Sequence, residues 1–269
     1  MIRRRRPRRR PGRPVGRAET PDSRWFWDHY DVAAGEIATL CEVSRIELAG
    51  RDIADVGCGD GLMALGLCRR VRPRRLVAFD IVPTNTEILV ARCRSEGLPD
   101  HLPSELEFRT STPTAVPAPD HEFDFVYSWS AFEHIAQPIS VLREIRRILR
   151  PTGHFFLQLW PFYRSAKGSH LWDWFEDFHQ LVDNEGEIVA RLQASDRHSK
   201  DWTAYMTREF AHLNRITLDE LQRAVLMAGF DVRRLELLTS TVALTPQLAR
   251  YSWSDLAVGG VKLIASPWR

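Results

Sequence analysis

The chain has 269 residues, 44% of them hydrophobic and 27% charged, enough to bury a sizeable core without disulfide or metal staples. No apolar run approaches the ~18 residues needed to cross a bilayer, and the charged N-terminus has no apolar stretch behind it, so neither a membrane span nor a secretory leader is expected. The net charge of +2 divides unevenly, because residues 1–20 hold nine Arg and one Glu while the rest of the chain is net acidic.

Residues 1–22 read as a disordered Arg-rich tail, with counterion-releasing contact to nucleic acid or anionic lipid as the alternative. Residues 23–269 form the folded domain. Its four cysteines, Cys41, Cys58, Cys68 and Cys93, make no C-x-x-C pair. A disulfide framework and a structural zinc site are not expected, and a reducing cytoplasm fits. Ile53–Gly57 is a short apolar strand entering a glycine-rich turn, and Leu62 to Val71 reads as the helix behind it. Arg75–Asp80 contains the second strand, Thr84 to Cys93 is helix-compatible, and Leu106–Arg109 is a weak third strand. Phe123–Ser128 is nearly continuous in apolar and aromatic residues, as a strand buried on both faces is.

Pro138 suits a first helical turn. Val141, Leu142, Ile145, Ile148 and Leu149 then repeat at helical spacing until Pro151-Thr152-Gly153, and His154–Trp160 is the fifth strand. Residues 161–215 break the rhythm with Phe162, Tyr163, Trp172, Trp174, Phe175, Phe178, Trp202 and Tyr205, and read as a helical insertion. Thr217-Leu218-Asp219-Glu220 is a capping-box pattern, with Gly229 as the residue that ends that helix. Val232–Leu238 and Val258–Ala265 are the closing strands. Alternation of this kind predicts a doubly wound α/β fold, a parallel sheet with helices on both faces.

The stretch Asp55-Val56-Gly57-Cys58-Gly59-Asp60-Gly61 joins the first strand to the first helix. A glycine turn there lets a ligand approach the backbone, and the helix start adds free N–H groups. Asp80, 21 residues past Gly59, stands where an acidic residue binds ribose hydroxyls. A nicotinamide enzyme is disfavoured, because Leu62 replaces the third glycine of the dinucleotide fingerprint. Asp55, inside the strand end, suits a ligand with an ammonium group and not a pyrophosphate. Cys58 reads as a small packing residue of the loop.

With these residues the chain resembles the class I S-adenosylmethionine-dependent methyltransferases, in particular the small-molecule branch called type 11. Ile53 to Gly61 resembles the first motif of that family, Phe79-Asp80-Ile81 its acidic second-strand end, and Phe123 to Ser128 its fourth strand. Phe132-Glu133-His134-Ile135 resembles its "leucine-glutamate-histidine" helix, and Arg147 to Gly153 its "RvLkPGG" turn. The resemblance implies a Rossmann-like seven-stranded sheet whose last strand is antiparallel. It implies S-adenosyl-L-methionine as cofactor. Asp55, Gly57, Cys58, Gly59 and Gly61 would hold the methionine part, Asp80 the ribose and Ile81 the adenine. Thr112 stands at the adenine-amino position, usually Asp, and Ser128 would offer backbone contacts to the amine.

For catalysis His134 and His170 are the candidate bases. For His134 a structural role, tying its helix to a loop, is the favoured reading. Some related enzymes hold a divalent ion with Glu-x-x-Glu-His, but Ser130 replaces the first Glu here, so no metal is expected. The expected activity is methyl transfer to a small-molecule acceptor, an O-methylation of a secondary metabolite, sugar or quinone-like compound. The absence of an Asn-Pro-Pro-Tyr type motif after the fourth strand disfavours nucleic-acid base amines. An RNA-modifying enzyme anchored by the tail, or a non-catalytic cofactor binder, are the alternatives. Residues 161–215 are expected to cap the acceptor pocket, and nothing in the sequence sets the oligomeric state.

Overall fold

The computed structural model describes residues 21–268, so the expectation for residues 1–20 lies outside the described residues. Three helical pieces open the chain: α1 (Pro21–Trp27), a π-helical stretch (Asp28–Ala33) and α2 (Ala34–Val43). Then follow β1 (Asp52–Val56), α3 (Leu62–Val71), β2 (Arg75–Asp80), α4 (Thr86–Ser95), β3 (Leu106–Thr110), β4 (Phe123–Trp129), α5 (Pro138–Ile148) and β5 (Leu149–Leu159). The segment after β5 carries α6 (His179–Val182), α7 (Glu185–Gln193) and α8 (Lys200–His212). The chain closes with α9 (Leu218–Met227), β6 (Phe230–Thr239), α10 (Trp253–Ala257) and β7 (Val258–Pro267).

The seven strands form one sheet in the order β3-β2-β1-β4-β5-β7-β6. β1 to β5 pair in parallel, while β7 runs antiparallel to both neighbours. Strand order reverses between β1 and β4, the switch point at which open α/β sheets take their ligands. One apolar layer packs α2, α3 and the π-helical stretch on a sheet face, with Ile37, Leu65, Phe125 and Tyr127 at its centre. The other packs α5 and α9 through Leu142, Ile145, Leu221 and Val225. The residues between β5 and α9 have an apolar cluster of their own, built on Leu171, Ile188, Leu192 and Phe210.

Local chemistry accounts for the element ends. Asn85 caps α4 by accepting from Glu87 and Ile88 N–H, Pro138 opens α5, and Thr217 with Glu220 closes the predicted capping box on α9. Gly229 follows α9 with φ +84°, as read from the sequence. The helices of residues 21–43 were not foreseen. They seat Phe26, Trp27 and Tyr30 in the core beside α3. Gly66 makes that docking possible, since a Cβ there would overlap the Tyr30 carbonyl oxygen. Gly66→Ala is expected to destabilise the fold by about 1–3 kcal/mol, the range for overpacking. Urea unfolding would test this, and an unchanged midpoint would show that the two helices separate without cost.

Candidate active site

The cradle forms where β1 ends. Gly57 has φ +86°, and a Cβ on it would lie 2.5 Å from the Ala131 Cβ, so only glycine lets the turn after β4 sit against the loop. The N–H groups of Gly57 and Cys58 both donate to the Phe79 carbonyl, at 2.8 and 3.0 Å, which fixes the loop to β2. Gly59 N–H donates to Asp80 Oδ2 at 2.7 Å and Val82 N–H to Oδ1 at 3.0 Å. That carboxylate keeps lone pairs for further donors such as ribose hydroxyls. Gly61 immediately precedes α3, and Arg92 pairs with Asp60 of the loop at 2.6 Å.

Asp55 lies beneath this loop, fully buried, and neither carboxylate oxygen has a hydrogen-bond partner. Burial pushes its pKa up to about 8 and Asp80 adds to it; the Tyr127 phenol is near enough to offset part of this, but no hydrogen bond of ordinary geometry joins the two. An orphaned acid at the end of a glycine cradle fits a ligand that brings an ammonium group, so the residues present suit S-adenosylmethionine. The Ser128 hydroxyl donates its proton to the Val56 carbonyl at 2.7 Å. Cys58 is buried, with its thiol pKa raised by burial and by Asp55, so it is a packing residue and no nucleophile. Ile81 is 57% exposed at the mouth. The Thr112 hydroxyl closes a turn by accepting from Ala115 N–H at 2.9 Å.

Residues 131–135 form turns here and not the helix that the resemblance implies; the helix starts at Pro138. The turns bring together what the sequence keeps 36 residues apart. His134 and His170 meet edge to face, with centroids 5.1 Å apart, and Trp172 lies 5.9 Å beyond His170. His170 itself is held at φ +64°. Glu133 is buried, both its oxygens lack a partner, and burial raises its pKa to about 8. Burial and the neighbouring His134 depress His170 to about 3, keeping that imidazole neutral, and its Nε2 is unpartnered. His134 is likewise lowered by burial, against the pull of Glu209, whose Oε2 lies 3.4 Å from its Nδ1.

One ligating atom each from Glu133, His134 and His170 lie within 4.8 Å of one another, so the trio has the spacing to share a cation or a proton. The Ser130 hydroxyl is taken by Gln158 at 2.8 Å. Trp172 borders His170, whereas Trp174 packs on the cluster of the 161–215 segment. Sequence reasoning missed Glu209, and placed Tyr205 only among the aromatics of the insertion. The readable signal was the spacing of Trp202, Tyr205 and Glu209 at i, i+3 and i+7 on one helix.

The sequence profile of a family described as a methyltransferase domain matches residues 34–235. A ubiquinone biosynthesis O-methyltransferase of Methylobacterium sp. (strain 4-46) is 32% identical over 178 residues, 58% of this chain and 68% of that protein. A protein of the same name from Xanthomonas oryzae pv. oryzae is 30% identical over 42% of this chain and only 45% of its own length. In structure, an S-adenosylmethionine dependent methyltransferase from Mesorhizobium loti superposes with a TM-score of 0.52 at 20% identity, covering 88% of this chain and 99% of that one. At that identity the likeness shows the fold alone.

Proposed function

The chain belongs to the methyltransferase-domain family, as an S-adenosylmethionine-dependent enzyme, and we propose that it methylates a hydroxyl on a small molecule. The observation that supports this is the grouping of Glu133 and His134, on the turn after β4, with His170 of the segment after β5, near the point where Ala131 abuts Gly57. Bound in the cradle, the cofactor supplies a methyl group already activated by a positive sulfur. Asp55 takes the ammonium and Asp80 the ribose hydroxyls. The acceptor is held by the 161–215 segment, with Trp172 beside it and water excluded.

His170 Nε2 would accept the proton that the acceptor hydroxyl gives up as its oxygen is methylated. Neutral by burial, His170 needs no prior deprotonation. The O-methyltransferases among the relatives support a hydroxyl acceptor.

The test is transfer of isotope-labelled methyl from S-adenosylmethionine into a cell extract, fractionated into small molecules, RNA and protein. Label in the small-molecule fraction, on oxygen, is expected. Label in RNA or none at all would overturn the reading. Loss of transfer after chelation, restored by a divalent ion, would replace the proton role of the trio with a cation role.

A further inference from the structure

The two edges of the sheet end differently. At one edge β3 is five residues long, and its Arg109 and Glu107 close an ion pair along the strand, Nε to Oε1 at 2.6 Å. At the other, β6 runs ten residues, pairs with β7 alone and is exposed from Val232 to Leu237. Among the described residues no backbone hydrogen bond reaches its outer side over that span. Leu235 and Leu237 are 57% and 41% exposed. Arg234 and Glu236 have the spacing of the β3 pair, yet neither has an ion-pair partner among the described residues. Lys262, opposite Glu236 on β7, is taken by Glu36 at 2.7 Å. A long strand with an open hydrogen-bonding edge and exposed leucines is a template for another strand.

The register fixes which residues share a face. Arg234 and Glu236 stand opposite Ile264 and Lys262, on the α2 side of the sheet, whereas Leu235 and Leu237 stand opposite Leu263 and Val261, on the α5 and α9 side. Two copies that join antiparallel edge strands into one sheet are related by an axis perpendicular to it. Facing residues then lie on the same face, and the axis passes where one residue meets its own copy. A centre at Arg234 sets arginine against arginine, and a centre at Glu236 sets glutamate against glutamate. Centres one residue farther out leave both charges unmatched, and the register shift beside Arg233 bends the strand on that side. A centre at Leu235 sets Arg234 against Glu236 of the second copy, twice over. On the other face Leu235 then meets its own copy, with Leu237 diagonal to it.

We propose that β6 is the docking edge for a second copy of this chain, in an antiparallel two-fold pair centred on Leu235 that joins the two sheets into one. The occupant follows from the charges, which are self-complementary about that one centre. A single strand pair covers less than a standard interface, so the dimer is expected to be weak, with a micromolar Kd. The inference rests on the sheet alone. β6 is separated from the β1–β4 switch point by β5 and β7, so the dimer stands or falls apart from the reading of the reaction.

Sedimentation equilibrium of the full chain at about 1–100 μM tests it. The wild type should dimerise in that range, and less so at high salt. Arg234→Glu and Glu236→Arg each set like charges together at both facing positions, so each should weaken dimerisation at least about tenfold. An equimolar mixture of the two variants should dimerise again, because each then holds the charge that the other lacks. Amide hydrogen exchange of the wild type should slow along β6 as concentration rises, with β3 unchanged. A wild type that stays monomeric to about 100 μM would overturn the proposal. So would a dimer that both variants leave intact, or a mixture that stays monomeric although each variant melts as the wild type does. Exchange uses only wild-type protein, so it decides even where a variant folds poorly: a dimer that leaves β6 unprotected is built on another surface, and the proposal fails.

Discussion

Asp55→Asn should raise the melting temperature of the ligand-free protein at pH 8 and, in the same variant, weaken S-adenosylmethionine about 10- to 100-fold. Both effects come from one carboxyl group that is fully buried with no hydrogen-bond partner. Its pKa in the folded chain is pushed up to about 8, against about 4 in an unfolded chain. The folded state therefore binds a proton that the unfolded state has released. The protonated acid costs nothing extra below about pH 4, and stability declines as pH rises from there to about 8, where the buried group must ionise. An asparagine never ionises, so the variant escapes that cost, by about 1–3 kcal/mol or several degrees at pH 8. Glu133, raised to about 8 for the same reason, stays in place, so the variant keeps part of the pH slope.

The affinity loss has the opposite origin. The ammonium of the cofactor would be the cationic donor that the Asp55 carboxylate lacks in the free protein, and a neutral amide cannot replace it as a charge-assisted partner. Thermal melts at pH 5.5 and 8, paired with calorimetry, separate the two. A variant less stable than wild type at pH 8 would mean that the carboxylate is satisfied within the fold.

The contrast between Asp55 and Glu133 shows what a sequence makes legible. Asp55, the cradle and Asp80 are readable because they sit in one strand–turn–helix–strand unit, where spacing along the chain fixes spacing in space. The sheet was readable for the same reason, down to the capping box on α9. Strand β5 begins earlier than expected, at Leu149, because Leu149 pairs with Phe123 across a register shift that no local pattern encodes. The helices over residues 21–43 went unread because their aromatic residues make sense only against α3, which they pack on. The meeting of Glu133 and His134 with His170 depends on the path of the segment after β5, whose period is irregular. His170 had no visible partner until that path was known.

The largest kinetic effect should follow at this meeting point. His170→Ala is expected to lower kcat about 10²- to 10⁴-fold, the range for loss of a positioned base, with cofactor affinity nearly unchanged. The reason lies in what surrounds the ring. Trp172 lies on one side, His134 meets it edge to face, and the orphaned Glu133 carboxyl is within ligating distance. The neighbouring imidazole, His134, is oriented toward Glu209. His134→Ala should accordingly cost less than His170→Ala.

The pH profile gives an independent check. Burial and His134 hold His170 at about 3, and His134 is lowered too, with Glu209 and His212 the charged groups acting on it. At saturating cofactor the rate should not drop through the ordinary histidine range near pH 6.5 on account of His170, which takes up no proton there. A wild-type rate that halves near pH 6.5 would show a base with an unperturbed pKa, and His170 would not be it. An alanine variant with the wild-type kcat would remove the proton acceptor from the mechanism and leave proximity in the cradle to carry the transfer.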